Sequence, residues 1–177
     1  AAYITGYTDF LSADTFPVPI GPDLTLTGGF NGLDAFVVKV RPDGTGVAYA
    51  GYIGGSGDDS GNGIAVDAMG AAYVAGTTAS TEATFPVTIG PDLTFNGASN
   101  ASNAFVVKVK PDGTGLAYAG YVGGRGDDFG NGIAVDTMGA AYVAGTTSST
   151  EATFPVTVGP DLTYNGGLDD PSDPYSF

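Results

Sequence analysis

The chain contains no cysteine and no histidine. Without cysteine there is no disulfide to staple the fold and no thiolate nucleophile. Without histidine there is no side chain whose ordinary titration suits proton transfer near pH 7. No serine stands in a Gly-x-Ser-x-Gly elbow. Positive charge is scarce: five Lys+Arg against 19 Asp+Glu give a net charge of −14, which disfavours nucleic-acid backbones and anionic membranes as partners. No apolar run approaches the roughly 18 residues a membrane-spanning helix needs. Glutamate occurs only at Glu82 and Glu151, and no ten-residue stretch keeps a 3.6-residue apolar period. The expectation is a chain that is not an enzyme and crosses no membrane.

What the chain has is glycine, proline, aspartate and repetition. Thirty Gly and 11 Pro interrupt it every few residues, and a hydrophobic fraction of 42% suffices for a core. Residues 47–95 recur as 116–164 at an offset of 69, with 41 of 49 positions identical. Ala1-Ala2-Tyr3-Ile4-Thr5-Gly6 returns in variant form at Ala71 and Ala140, and Gly-Pro-Asp-Leu-Thr starts at Gly21, Gly90 and Gly159. A period this long implies a tandem array, here roughly 2.6 repeats. The sequence opens and closes in mid-repeat, as expected of a processed chain, a fragment, or one register of a longer array.

Each repeat reads as four short strands. Ile64–Asp67 is a short apolar strand and Asp67-Ala68-Met69-Gly70 a turn. Ala71–Thr77 is the second strand. Phe105–Val109 alternates between Phe105, Val107, Val109 and Val106, Lys108. Pro111-Asp112-Gly113 has turn chemistry, and Leu116–Val122 is the fourth strand. About 27 residues, 78–104, separate the second and third strands, long for a compact domain; within them Phe85-Pro86-Val87-Thr88-Ile89 suggests one more short strand. The predicted class is all-β, antiparallel, with four-stranded propeller-like blades: a partial blade over 1–57, a full repeat over 58–126, and a partial blade over 127–177.

Gly-Gly-x-Gly-Asp-Asp-x-Gly-Asn-Gly-Ile-Ala-Val-Asp, followed by Gly-Ala-Ala-Tyr-Val-Ala-Gly-Thr-Thr, spans Gly54–Thr78 and Gly123–Thr147. Together with Ala35–Gly46 and Ala104–Gly115, these segments resemble the bacterial β-propeller repeat called SBBP. The resemblance implies propeller blades in large secreted or surface-attached bacterial proteins, and no activity. A closed propeller needs at least about four blades, more than this array supplies: either more chain completes the ring, or several chains do, neighbours completing the cut blades, or the array does not close. Heterologous contacts that do not close propagate into filaments, and strand donation would serve that end.

Asp58, Asp59 and Asn62, with Asp127, Asp128 and Asn131, form oxygen-rich Gly loops of a kind that binds Ca²⁺. The competing reading is a tight loop whose aspartates cap backbone N–H groups. Asp67 and Asp136 end a strand before a turn, as Asx-turn residues do. Thr77, Thr78, Thr146 and Thr147 open hydroxyl-rich segments next to Phe-Pro, a composition shared by O-glycosylated stretches and by solvated loops. Asn100-Ala101-Ser102 is an N-glycosylation triplet. The ten Tyr and ten Phe suit core and cross-strand packing, with sugar stacking as the other use. The functional expectation is a structural extracellular protein that self-assembles head-to-tail into a fibre or surface layer, calcium-stabilised and glycosylated. The alternative is part of a closed propeller that binds glycan or protein. A hydrolase is the third reading; its only acidic cluster confined to one repeat is Asp169, Asp170 and Asp173.

Overall fold

The computed structural model describes residues 1–9, 16, 20–27 and 32–164. Among these the chain is all-β, with nine strands in three antiparallel sheets. The first sheet holds β1 (Ala2–Asp9), β2 (Leu33–Val40) and β3 (Val47–Ile53). The second holds β4 (Asp59–Val66), β5 (Ala72–Thr78), β6 (Asn103–Val109) and β7 (Leu116–Val122). The third holds β8 (Asp128–Val135) and β9 (Ala141–Thr147). The middle sheet is a complete four-stranded blade, built in the order the sequence pattern suggests. Among the described residues the first sheet has no counterpart of β4, and the third has none of β6 and β7.

Turn chemistry sets the register. Asp67 Oδ1 accepts from the N–H groups of Met69 and Ala71 at 3.0 and 2.9 Å, and Gly70 takes φ +84°, which closes the β4–β5 hairpin. Asp136 and Gly139 repeat this turn. In the β6–β7 hairpin, Gly113 takes φ +77° and donates to Lys110 O at 2.9 Å.

The first strand of the blade starts earlier than its apolar pattern implies. It runs from Asp59 rather than Ile64, because Ser60, Gly61 and Gly63 pair with Thr77, Gly76 and Ala75. Asn62 is the extra residue of a β-bulge between Gly61 and Gly63, and Asn131 stands at the same break in β8. Short polar residues and glycine gave this half of the strand no period-2 signal.

The sheets stack face to face. Ala35, Val37, Tyr49 and Ile53 of the first sheet join Ala72, Val74, Phe105, Val107, Val109, Ala119 and Tyr121 of the second in one buried core. Each fully buried Val or Phe contributes about 1.5–3 kcal/mol, so this face supplies most of the stabilisation. β4 lies between β1 on one side and β8 on the other, so the first strand of each blade is also the strand that meets its neighbours.

The long 78–104 connection forms no additional strand at Phe85–Ile89. It runs along the outer edge of β7 instead. Ala119 N–H donates to Ile89 O at 2.9 Å, Tyr121 N–H donates to Asp92 O at 2.8 Å, and Thr88 N–H donates to Ala119 O at 3.2 Å. Phe85 is buried against Phe105 and Tyr121. The length of the loop is explained by edge protection: it covers backbone groups that would otherwise template further pairing.

Candidate functional site

The Gly-Gly-x-Gly-Asp-Asp loops are organised around one buried carboxylate each. Asp59 Oδ2 accepts from Gly55 N–H and Ser80 Oγ, both at 2.8 Å. Asp128 Oδ2 does the same with Gly124 N–H and Ser149 Oγ, and the Thr147 hydroxyl donates to its Oδ1. Asp58 and Asp127 turn elsewhere, accepting from Leu33 N–H and Ser102 N–H. Asn62 points out of the loop altogether: its Nδ2 donates to Thr77 Oγ1 and, across the seam, to Gly130 O at 3.0 Å. Asp58, Asp59 and Asn62 of the first loop therefore face different partners, as do Asp127 and Asp128 of the second. Among the described residues no group of three or more acidic side chains is placed to hold a metal ion.

The sequence comparison between residues 47–95 and 116–164 missed a difference just outside that window. Asp34 is fully buried beside Asp59, where the second copy has Asn103. A Cβ on Gly54 would stand 2.6 Å from Asp34 Oδ1 and 2.9 Å from Asp59 Oδ2, so the two carboxylates crowd one glycine. Asp34 accepts from Thr27 N–H at 2.7 Å. Asn103, in the amide orientation its surroundings require, donates to Gly124 O at 3.3 Å and accepts from Asn96 N–H at 3.2 Å. Burial pushes the Asp59 carboxyl up to about 6; hydrogen bonds from Thr78, Gly55 and Ser80 oppose the rise and the Asp34 charge adds to it. The discriminating signal was the Asp34/Asn103 exchange at an offset of 69.

A second polar cluster sits at the opposite end of the blade. Lys108 Nζ donates to Tyr73 OH at 2.5 Å and pairs with Asp67 at 3.3 Å, while Tyr73 OH lies 3.2 Å from Asp67 Oδ2. Burial opposes the Asp67 charge. The Ala71 N–H, the Lys108 ammonium and the Tyr73 hydroxyl outweigh it and hold the carboxyl below its usual range. Tyr73 OH also reaches Gly139 O of the third sheet at 3.3 Å, as Tyr3 OH reaches Gly70 O at 3.1 Å. The same tyrosine thus ties each sheet to the next.

Of the predicted glycosylation positions, Thr78 is fully buried and its Oγ1 accepts from Ser80 N–H, which leaves no room for a sugar. Thr147 is engaged with Asp128 and Ser149. Thr77 is half-buried and Thr146 exposed. Asn100 is exposed at a turn with φ +67°. Asp169, Asp170 and Asp173 lie outside the described residues.

Among the described residues, the strands at the two ends of the stack carry exposed apolar side chains. Tyr7 is 60% and Ile4 46% exposed on β1; Tyr142 is 62% and Val143 37% exposed on β9. Between the second and third sheets runs an apolar groove of about 460 Å³, lined by Ile89, Val106, Tyr118, Val122, Ala141 and Val143. The equivalent space one repeat earlier is packed solid by β6 and β7.

The family model described as SBBP, beta-propeller repeat, matches residues 48–82 and 117–151. No curated protein matches the chain. Each matched segment starts in the last strand of one sheet and ends just beyond the second strand of the following one, so the repeated unit of sequence encodes the seam between blades as well as the blade. Residues 48–82 and 117–151 are SBBP beta-propeller repeats, and the chain that carries them is a propeller-like repeat protein.

Proposed function

We propose that this chain is a structural, non-enzymatic building unit that joins head-to-tail with further copies of itself into an extended array at a bacterial surface. The observation that carries the proposal is the repeated seam. Gly61 abuts Thr5 and Gly6, Gly130 abuts Gly76, and Gly63 abuts Gly132, while Tyr3 and Tyr73 make the same cross-seam bond. A contact encoded twice in near-identical sequence is suited to propagation. Among the described residues β1 and β9 each pair on one side only, and their other edges supply the backbone groups through which a neighbour would be added. An extracellular location is part of the proposal, supported by the resemblance of the repeats to secreted arrays. Thr146 and Asn100 are the two proposed acceptors best placed for glycans.

Light scattering over a concentration series, followed by negative-stain microscopy, tests this. The expected result is mass that grows with concentration and particles elongated along one axis. A constant monomer mass up to about 1 mM, where any interface worth more than roughly 4 kcal/mol would show, would reject it.

A second reading has its own observation. Thr81, Glu82, Phe95, Gly97, Ser99 and Asn100 line an open polar groove of about 610 Å³ on the 78–104 loop, a surface suited to a glycan or peptide. Binding to a glycan array, abolished by Phe95→Ala, would favour it.

A further inference from the structure

We infer that Asp34 holds a proton at neutral pH and donates it to Gly55 O, so that the first seam carries a proton-dependent clasp that the second seam does not. The inference stands apart from the head-to-tail reading.

The second copy shows which hydrogen bonds this position makes. Asn103 accepts from Asn96 N–H at 3.2 Å and donates its amide to Gly124 O at 3.3 Å. At the offset of 69 these three residues become Asp34, Thr27 and Gly55. The accepting half is kept: Asp34 Oδ2 takes Thr27 N–H at 2.7 Å. Asp34 Oδ1 then stands where the amide nitrogen donates, toward a carbonyl oxygen. An ionised carboxylate has no hydrogen to give there, whereas a carboxylic acid has one. Protonated Asp34 is the near-isostere of Asn103, and only that form makes both bonds.

Asp59 decides which carboxyl keeps the proton. Asp34 is 0% and Asp59 1% exposed, and their oxygens lie 2.6 and 2.9 Å from a Cβ placed on Gly54. Two anions this close in a buried site are disfavoured, and one proton relieves them. Asp59 Oδ2 accepts from Gly55 N–H and Ser80 Oγ, donors that favour its charged form. The Gly55 carbonyl favours the neutral form of Asp34.

The surroundings bring no positive charge to the pair. Tyr52 of β3 faces Asp34, and Tyr121 of β7 faces Asp59. Asp58 accepts from Leu33 N–H beside Asp34. On β1, Thr8 pairs with Asp34 and Asp9 with Leu33. The five cations of the chain stand elsewhere. Lys39 lies further along β2, about 16 Å from Asp34, and donates to Pro111 O. Lys108 is held by Tyr73 and Asp67. Arg41 and Lys110 follow the ends of β2 and β6, and Arg125 belongs to the loop of the second copy. Nor is a metal ion the relief, since no group of three or more acidic side chains among the described residues is placed to hold one.

The proton makes the first seam respond to pH. Folded Asp34 keeps a proton that the unfolded chain releases near pH 4. The folding constant therefore falls about tenfold per pH unit, until the proton leaves the folded chain as well. The second seam, with Asn103 in place of the acid, has no such response.

Carbon NMR of the chain labelled at the aspartate Cγ positions reads the proton directly. At pH 7 one carboxyl signal is expected in the protonated range. It should be absent from Asp34→Asn and joined by a second in Asn103→Asp. Denaturant melts give an independent readout. Between pH 6.5 and 7.5 the folding constant of the parent chain is expected to fall about tenfold more than that of Asp34→Asn. A protonated signal that survives Asp34→Asn, an Asp34 signal already ionised at pH 7, or equal pH slopes for parent and variant would each overturn the inference.

Discussion

The two seams of this molecule are encoded by almost the same sequence and end in opposite states. Between the first and second sheets, Tyr49, Ile53 and Val74 are sealed, and Tyr73 is 0% exposed. Between the second and third, the equivalents Tyr118 and Val122 are half-buried, Val143 is 37% exposed and Tyr142 is 62% exposed. Side-chain identity does not cause the difference. Among the described residues the first seam has a hairpin lying across it and the second does not. The hydrophobic gain of a seam is realised when the third and fourth strands of the following blade lie across it.

The comparison can be broken most forcefully at those strands. Phe105→Ala removes a ring with no exposure, packed against Phe85, and is expected to cost about 3–5 kcal/mol. Phe36→Ala, at the equivalent but half-buried position, is expected to cost less than half as much in the monomer. Denaturant midpoints of the two variants check this; equal losses would mean the open face is as well packed as the closed one.

The next largest effect concerns the loop carboxylates. The Asp59 carboxyl titrates at about 6 in the folded chain against an ordinary value of 3.8. Folding thus disfavours its charge, and the sign follows. Its contribution is neutral below pH about 4, turns unfavourable as pH rises from 4 to 6, and stays so above, at a cost on the order of 3 kcal/mol. Asp59→Asn is expected to flatten the stability profile between pH 4 and 6 and to raise stability at pH 7 relative to pH 4. A profile unchanged from the parent chain would show that another group titrates there.

A smaller effect separates paired glycines. A Cβ at Gly63 meets Gly132 Cα at 3.0 Å, whereas one at Gly132 meets nothing within 4 Å. Gly63→Ala is expected to destabilise by about 1–2 kcal/mol. Gly132→Ala is expected to be neutral or stabilising by up to about 1 kcal/mol, because alanine lowers the entropy lost on folding. In the assembled state the Gly132 variant should lose that advantage. Thermal melts at low and high concentration read both.

The smallest effect is that of calcium. Each loop carboxylate already holds protein donors, so saturating Ca²⁺ is expected to move the melting midpoint by less than about 1 °C beyond a salt control of equal ionic strength. A rise of several degrees would give Asp58, Asp59, Asp127 and Asp128 the ligand role their spacing suggested.

Repetition and turn chemistry made the all-β class and the four-stranded blade readable before any coordinates. Asp67 followed by Gly70, and Pro111 by Gly113, mark hairpins because each residue type solves a local backbone problem. The start of β4 was not readable, since Ser60, Gly61 and Gly63 are held in the strand by pairing with β5 rather than by their own preference. Asp58, Asp59 and Asn62 stand close together in sequence, and the bulge directs Asn62 toward Gly130, a placement that spacing alone did not reveal. The Asp34–Asp59 pair depends on a contact between strands from different sheets, which a comparison within one repeat does not reveal.

Hydrogen–deuterium exchange of β9 against β5, over a range of protein concentrations, tests the central claim most directly. The account predicts that β9 amides exchange fast in dilute solution and slow toward the rates of β5 as concentration rises. Amides of β9 that stay fast at every concentration would contradict it.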